Sequence, residues 1–262
     1  MKDIQPIFDP TKGYPFIIAG PCSAETEMQV MQTAEQLKEN GFEYFRAGVW
    51  KPRTRPGGFE GNGKKALEWL KKAKKELDIK ICTEVANQDQ TKMVLDYGID
   101  IIWIGARTTT SPFAVQEIAD TLYKEESRIP VLVKNPPCPD LELWIGAIER
   151  FYNAGIRKLG AIHRGFLEWP KSVYRNSPIW AIPTEFSKRI PEITMIHDPS
   201  HISGDKELIE YLSKKAINGN VFDGLMIESH YKPELAITDA RQQITPEELY
   251  KIISNIKENY IL

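Results

Sequence analysis

The 262-residue chain predicts an α/β protein of the (β/α)8, or TIM-barrel, class. Three observations carry this. Short apolar runs alternate with amphipathic stretches of helix length, in eight β-then-α units of about 30 residues. Most of the runs are rich in Ile, Val and Leu without strict polar alternation, as expected of strands buried on both faces. The length suits one barrel, although two small domains would also fit it. An open, doubly wound parallel sheet is the competing arrangement of the same pattern.

The predicted strands are Phe16–Ala19, Tyr44–Ala47, Ile79–Thr83, Ile101–Ile104, Val131–Lys134, Lys158–Ile162, Ile193–His197 and Gly224–Ile227. The helices between them are expected at 26–40, 63–77, 88–97, 112–124, 140–154, 181–189, 205–218 and 245–259. Asn40-Gly41 supplies a stop for the first helix, because glycine readily takes the backbone conformation that ends one. Residues 1–12 are expected to form a small hairpin closing the barrel floor, as an extension of one catalytic domain spanning 1–262. No internal repeat and no low-complexity linker is visible.

Composition narrows the function. Hydrophobic residues make up 42% and charged residues 27%, so the chain can bury a core and is not of a disordered class. The net charge of −2 gives no bulk electrostatic support to a nucleic-acid partner. Three cysteines, Cys22, Cys82 and Cys138, are too few and odd in number for a disulfide framework and fit a reducing compartment. The first residues, MKDIQPIFDP, lack an apolar stretch of signal-peptide length, and no run approaches the ~20 apolar residues of a membrane helix. A cytoplasmic protein without a membrane partner is expected.

In a barrel of this class the chemistry sits at the C-terminal strand ends. The residues there fall into two sets. Arg46, Lys51, Arg53, Arg107, Lys134 and Arg164 are cations converging on one mouth of a slightly acidic chain. Phosphate and carboxylate are the natural anions for them, since the guanidinium fork binds both in bidentate fashion. Singly each charge also reads as a solvated surface residue, but surface charges should favour the helices. Cys22, His201, Glu228 and Asp239 form the second set: a thiol, an imidazole and two carboxylates, which suit a divalent Mn, Fe, Co or Zn ion. Cys22 alone also reads as a buried small apolar side chain, and His201 alone as a satisfied loop histidine. Cys82 and Cys138 read as structural. A closed structural zinc site is not indicated, because no Cys-x-x-Cys pair is present.

At these residues the sequence resembles DAHP synthase, the enzyme that opens the shikimate pathway to aromatic amino acids. Gly20-Pro21-Cys22-Ser23, Lys51-Pro52-Arg53-Thr54, Ile104-Gly105-Ala106-Arg107 and Asp198-Pro199-Ser200-His201-x-x-Gly204 match its motifs in order, from about residue 15 to 262. The chain is similar to the short microbial subgroup without an N-terminal regulatory domain. The resemblance implies a transferase that condenses phosphoenolpyruvate with erythrose 4-phosphate. It implies Cys22, His201, Glu228 and Asp239 as ligands of a divalent metal ion, Mn²⁺ first and Co²⁺, Fe²⁺ or Zn²⁺ as alternatives. It implies Arg46, Arg107, Lys134 and Arg164 around phosphoenolpyruvate, Lys51 at the reacting centre, and Arg53 with Thr54 on the sugar phosphate. Lys51, Cys22 and His201 are the catalytic candidates. A homo-oligomer is expected, and a fused or associated chorismate mutase is a partner that some members of the subgroup carry; the chain ending at Tyr260-Ile261-Leu262 is compatible with either a free-standing enzyme or the barrel of such a fusion.

Three positions depart from the family pattern. Asn135-Pro136 stands where Arg-Gly is usual, Thr108 where Asn is usual, and His163 where Glu is usual before Arg164. If that Glu activates water, His163 has to substitute for it. The rival reading is the sister synthase of 3-deoxy-D-manno-octulosonate 8-phosphate, which takes arabinose 5-phosphate. Its segment would resemble Lys-Ala-Asn-Arg-Ser-Ser, whereas this chain reads Lys-Pro-Arg-Thr at 51–54. A barrel without activity, serving as a docking surface, is the reading from another class, and both residue sets argue against it.

Overall fold

The computed structural model describes residues 1–9, 13–53, 55–170 and 172–258. In chain order the elements are β1 (Phe16–Gly20), α1 (Glu27–Glu39), β2 (Tyr44–Arg46), α2 (Lys64–Leu77), β3 (Lys80–Val85), α3 (Gln88–Asp96), β4 (Ile101–Ile104), α4 (Ala106–Thr109), α5 (Pro112–Lys124), β5 (Val131–Lys134), α6 (Leu141–Asn153), β6 (Leu159–His163), α7 (Ala181–Arg189), β7 (Thr194–His197), α8 (Pro199–Ser203), α9 (Ile209–Asn218), β8 (Gly224–Glu228) and α10 (Pro246–Glu258). The strands close into one barrel in sequence order, β1 pairing with both β2 and β8, and every pair is parallel. The open-sheet alternative is thereby excluded.

The helices begin where the side chains can satisfy their first free N–H groups. Thr26, Asn87, Ser111 and Asp140 accept from Gln29, Gln90, Ala114 and Leu143 backbone N–H groups at the starts of α1, α3, α5 and α6. Two short helices had no counterpart among the expected elements. α4 and α8 follow directly on the ends of β4 and β7, and they carry Arg107 and His201. The helix expected over 205–218 opens as a 3-10 turn at Lys206–Leu208 before α9.

Side-chain parity divides the strands between two apolar layers. Ile18, Tyr44, Cys82, Ile101, Trp103, Leu132, Ile162, Ile196 and Met226 fill the barrel interior, with at least one from every strand. Their neighbours one residue away, such as Ala19, Phe45, Ile81, Ile102, Val133, Ala161, Met195 and Ile227, join the larger layer between barrel and helices. This is the period-two alternation of extended chain, applied to a sheet covered on both faces.

Among the described residues 1–9 no hairpin forms. Among the described residues, Gln5 makes an isolated parallel bridge to Lys158, and its N–H donates to the Arg157 carbonyl at 2.8 Å. Phe8 is buried in the interior cluster, stacked on Phe16 at 4.8 Å and edge-on to Tyr44 at 5.0 Å. Phe8 thus covers the open end of the interior with apolar surface. Gly160 makes room for this segment: a Cβ there would stand 3.0 Å from Ile7 Cδ1 and 2.5 Å from Leu132 Cδ2. Residues 10–12 of the expected hairpin lie outside the described residues. No helix among the described residues is long and apolar enough to cross a membrane.

Candidate active site

The site is assembled from the C-terminal ends of the strands. At the end of β1, Gly20 has φ +148°, and a Cβ would lie 2.1 Å from the Arg46 carbonyl oxygen, so only glycine permits β1 and β2 to approach there. The chain then turns Cys22 inward. The Cys22 N–H donates to Gln243 Oε1 at 3.1 Å, and its carbonyl accepts from Arg46 Nη2 at 3.1 Å. The thiol lies 3.2 Å from Asp239 Oδ2, and Lys51 Nζ stands 2.9 Å from the sulfur. Burial, reinforced by the Glu228 charge, pushes the Cys22 thiol up to about 12.

Glu228 ends β8 and is fully buried. Gln242 Nε2 donates to its Oε2 at 2.6 Å. Its Oε1 accepts no hydrogen bond, although Arg46 Nη2 is 3.4 Å away and His201 Nε2 is 3.6 Å away. Burial works to raise the Glu228 pKa, but His201, Arg46 and Lys51 together hold it below the usual carboxylate range. Asp239 adopts φ +50°, an unusual backbone for a non-glycine residue, and Arg175 Nη1 grips its Oδ1 at 3.0 Å. The loop carrying Asp239 is tied to the β1 end: Glu25 accepts from the N–H groups of Ile237 and Thr238 at 2.9 and 3.0 Å.

Cys22, Glu228 and Asp239 each offer one donor atom, and these atoms lie within 4.8 Å of one another. His201 Nε2 faces the same Glu228 oxygen. The Cys22 Sγ to Asp239 Oδ2 separation of 3.2 Å falls in the roughly 3–4 Å range of donors held at about 2.0–2.3 Å from one ion. The buried carboxylate oxygen without a hydrogen bond is an independent sign, since an anionic oxygen is costly to bury unsatisfied. The mixed sulfur, nitrogen and oxygen donors fit a borderline transition metal.

The cations line an adjoining cavity of about 430 Å³ whose wall includes Lys51, Arg53, Arg107, Lys134 and Arg164, together with His201 and Asp239. Arg46 lies beneath it, buried, 4.9 Å above the Trp103 ring, and Lys134 Nζ lies 5.8 Å from the same ring. Trp103 thus separates the cations from the apolar interior. Its indole N–H donates to Glu84 Oε2 at 2.7 Å, which places a carboxylate on the cavity wall. Arg164 Nη1 is held by Asn176 Oδ1 at 2.8 Å. Burial, with the repulsion of Arg175 and Arg107, pulls its guanidinium down to about 10. Arginines that repel one another in a shared cavity are stabilised by an anion among them.

A sequence model of the DAHP synthetase I family matches residues 10–260. The chain belongs to the DAHP synthetase I family. Phospho-2-dehydro-3-deoxyheptonate aldolase of Thermotoga maritima is 33% identical over 246 residues, which cover 94% of this chain and 70% of that protein. A crystal structure of that enzyme, DAHP synthase of Thermotoga maritima, superposes with a TM-score of 0.82 at 30% identity, covering 92% of this chain and 68% of the other. A truncated form of 3-deoxy-D-arabino-heptulosonate 7-phosphate synthase from the same organism gives 0.79 at 28% identity, covering 92% and 85%. The 2-dehydro-3-deoxyphosphooctonate aldolase of Desulfotalea psychrophila is 27% identical over 92% of this chain and 88% of its own.

In this DAHP synthetase I chain the expected site residues come together with three exceptions. His201 stands 3.6 Å from Glu228 Oε1 but outside the close group that Cys22, Glu228 and Asp239 form. Thr54 lies outside the described residues. His163 does not reach the cavity. Ile162 points into the barrel, so His163 points out, where its ring packs against His197, Phe166, Trp180 and Phe222. It therefore cannot replace a pocket carboxylate. Asn135 has a structural task instead: its Oδ1 accepts from the Arg164 N–H at 2.7 Å, and its Nδ2 donates to the Gly165 carbonyl at 2.8 Å. Thr108 is buried in α4 and is not part of the cavity wall.

Several residues of this site have no counterpart in the sequence expectation. Arg175 lies on the long β6–α7 connection, away from any strand end. Gln242 and Gln243 hold Glu228 and Cys22, and their adjacency to Asp239 was the available signal. Asp198 was visible as part of a motif, but its contacts were not.

Proposed function

We propose that this chain condenses phosphoenolpyruvate with erythrose 4-phosphate and water to give 3-deoxy-D-arabino-heptulosonate 7-phosphate and inorganic phosphate, the first step of the shikimate pathway. The observation that carries the reading is the cation-lined cavity whose wall includes Asp239 and His201, with Cys22 and Glu228 buried behind Asp239. Two phosphorylated substrates need such cations, and an aldehyde acceptor needs an electrophilic centre beside them.

Cys22, His201, Glu228 and Asp239 would hold a divalent cation, Mn²⁺ or a similar ion, which would supply Lewis acidity toward an aldehyde oxygen when bound. The protein's own groups do the rest. Arg46, Arg107, Lys134 and Arg164 bind the phosphate and carboxylate of phosphoenolpyruvate and hold its carbon 3 toward the acceptor. Lys51 Nζ, between Cys22 and the cavity, places an ammonium where the new alkoxide forms and can donate its proton there. Burial tends to discharge Lys51, but the Cys22 and Glu228 partners raise its pKa above the ordinary value and keep it protonated. Arg53 faces the sugar phosphate, with Thr54 next to it in sequence. Carbon 3 attacks the aldehyde carbon, water adds at carbon 2, and the carbon 2–oxygen bond to phosphate breaks.

The reaction with arabinose 5-phosphate is the second reading, supported by relatives such as the Desulfotalea psychrophila protein at 27% identity. The 33% relative and the Lys51-Pro52-Arg53 segment favour the four-carbon sugar. The deciding experiment is turnover of phosphoenolpyruvate with each aldose phosphate in the Mn²⁺-loaded and chelated protein. Release of phosphate only with erythrose 4-phosphate, and only with metal, is expected. Turnover with arabinose 5-phosphate alone would reassign the substrate. A cytoplasmic homo-oligomer, with or without a chorismate mutase partner, completes the proposal.

A further inference from the structure

We propose that Asp198 is a positioning residue that couples metal binding to phosphoenolpyruvate binding, by sharing one carboxylate oxygen between Lys134 and His201. The inference rests on the roles assigned above to those two residues.

Asp198 follows β7 and is completely buried. Its two oxygens have different tasks. Oδ1 accepts the His201 backbone N–H at 3.0 Å and caps α8. Oδ2 faces two donors: Lys134 Nζ at 2.9 Å and His201 Nδ1 at 2.8 Å. They are not equal. The lysine contact is a well-formed hydrogen bond, whereas Nδ1 has no aligned hydrogen bond despite its short distance. The imidazole contact is bent, and the lysine holds the oxygen.

For His201 to ligate through Nε2, the nitrogen that faces Glu228, its proton must sit on Nδ1. Asp198 Oδ2 is the acceptor placed to hold it there, and a carboxylate on the distal nitrogen fixes the ring and strengthens the donor. Lys134 also lines the cavity, so an anion there competes with Asp198 for the same ammonium. When the anion takes the lysine's charge, Oδ2 is released to align with Nδ1–H. The metal then binds more tightly, and by linkage phosphoenolpyruvate binds more tightly to the metal-loaded protein by the same factor.

The test is calorimetric titration of Mn²⁺ with and without phosphoenolpyruvate, with no aldose phosphate present and hence no turnover. In the wild-type protein phosphoenolpyruvate should tighten Mn²⁺ binding by about tenfold, within the usual range of such couplings. In D198N the amide presents a donor to Nδ1 or loses the lysine, so Mn²⁺ affinity should fall roughly 10–100-fold and its dependence on phosphoenolpyruvate should vanish. K134M removes the competitor for Oδ2, so Mn²⁺ should bind it more tightly without phosphoenolpyruvate, and further addition should change nothing. In the double variant that gain should disappear, which separates alignment from simple loss of a positive charge. If D198N does not fold, the K134M arm decides alone: unchanged or weaker Mn²⁺ binding overturns the proposal. So does a folded D198N that keeps the full effect of phosphoenolpyruvate, or a wild type that binds both ligands independently. A wild type that binds neither ligand would instead sink the functional reading beneath it.

Discussion

Lys51 Nζ lies 2.9 Å from Cys22 Sγ, so an ammonium and a buried thiol share the junction between the metal-ligand set and the substrate cavity. The thiol is neutral here, because burial raises its pKa to about 12. A metal ion would have to displace its proton, and binding should therefore release protons and tighten as pH rises.

The first prediction follows from this. Cys22→Ala should lose bound Mn²⁺ by at least an order of magnitude in affinity, while Cys82→Ala and Cys138→Ala retain it. Cys82 points into the barrel interior and Cys138 is exposed, so neither reaches the cluster. Metal content after equilibrium dialysis is the readout. Equal retention in all three variants would remove Cys22 from the ligand set.

Much of this site was legible because a barrel sends its functional groups to one end of its strands. What was not legible was which face each end residue takes, and parity supplies the reason. Tyr44, Cys82, Leu132 and Met226 point inward, so Arg46, Glu84, Lys134 and Glu228, two residues on, also point inward. Ile162 and Ile196 point inward, so His163 and His197 point outward and Asp198 returns to the centre. Reading strand ends without that alternation misplaced His163 at the substrate. Arg175 and Gln242 follow no such rule. They lie in loops whose path depends on contacts with other loops, and nothing local in the sequence encodes those contacts.

The second prediction concerns one of them. Gln242 donates to Glu228 Oε2 at 2.6 Å and leaves Oε1 facing His201 and Cys22's side of the cluster. Gln242→Leu should free the carboxylate to rotate and leave it short of a hydrogen bond inside the protein. Metal affinity should drop roughly 10–100-fold, the usual cost of losing such a partner. Folding stability should fall by about 1–3 kcal/mol in the metal-free protein. Urea unfolding with metal titration measures both, and unchanged metal affinity would count against the orienting role.

A third prediction comes from the misplaced histidine. His163 Nδ1 is 3.2 Å from His197 Nδ1 inside an aromatic box, and burial pushes the His163 pKa down to about 3. Burial and the neighbouring ring also hold His197 well below its ordinary value. The unfolded chain takes up protons on these groups below about pH 6.5, and the folded chain does not. Stability is thus fully present above that pH and falls as the pH drops toward the folded value, by up to about 1.4 kcal/mol per pH unit for each histidine. His163→Phe suits the box and removes one titration. Urea unfolding between pH 7.5 and 5 should show a shallower decline in that variant, and an identical decline would mean that His163 takes up its proton as readily in the folded protein as in the unfolded chain.

The last prediction addresses the sugar phosphate. Arg53 Nε donates to the Phe59 carbonyl at 2.6 Å, which fixes the guanidinium on the cavity wall, and Pro52 restricts the backbone just before it. A lysine could reach the same region only as a point charge without the fork that matches a phosphate. Arg53→Lys should therefore raise KM for erythrose 4-phosphate by about tenfold, as the loss of one charge-assisted hydrogen bond implies, with Mn²⁺ content and phosphoenolpyruvate affinity nearly intact. Arg55 lines the same cavity and can take over part of the task, so the double change Arg53→Ala with Arg55→Ala is the stricter test. That variant should bind phosphoenolpyruvate yet need at least 100-fold more erythrose 4-phosphate, on the basis of roughly 1.5–3 kcal/mol lost at each arginine. Steady-state kinetics in each substrate, alongside direct binding of phosphoenolpyruvate, separates the two subsites. If the double variant folds and uses erythrose 4-phosphate normally, the sugar phosphate lies elsewhere and the two substrates enter in the opposite orientation.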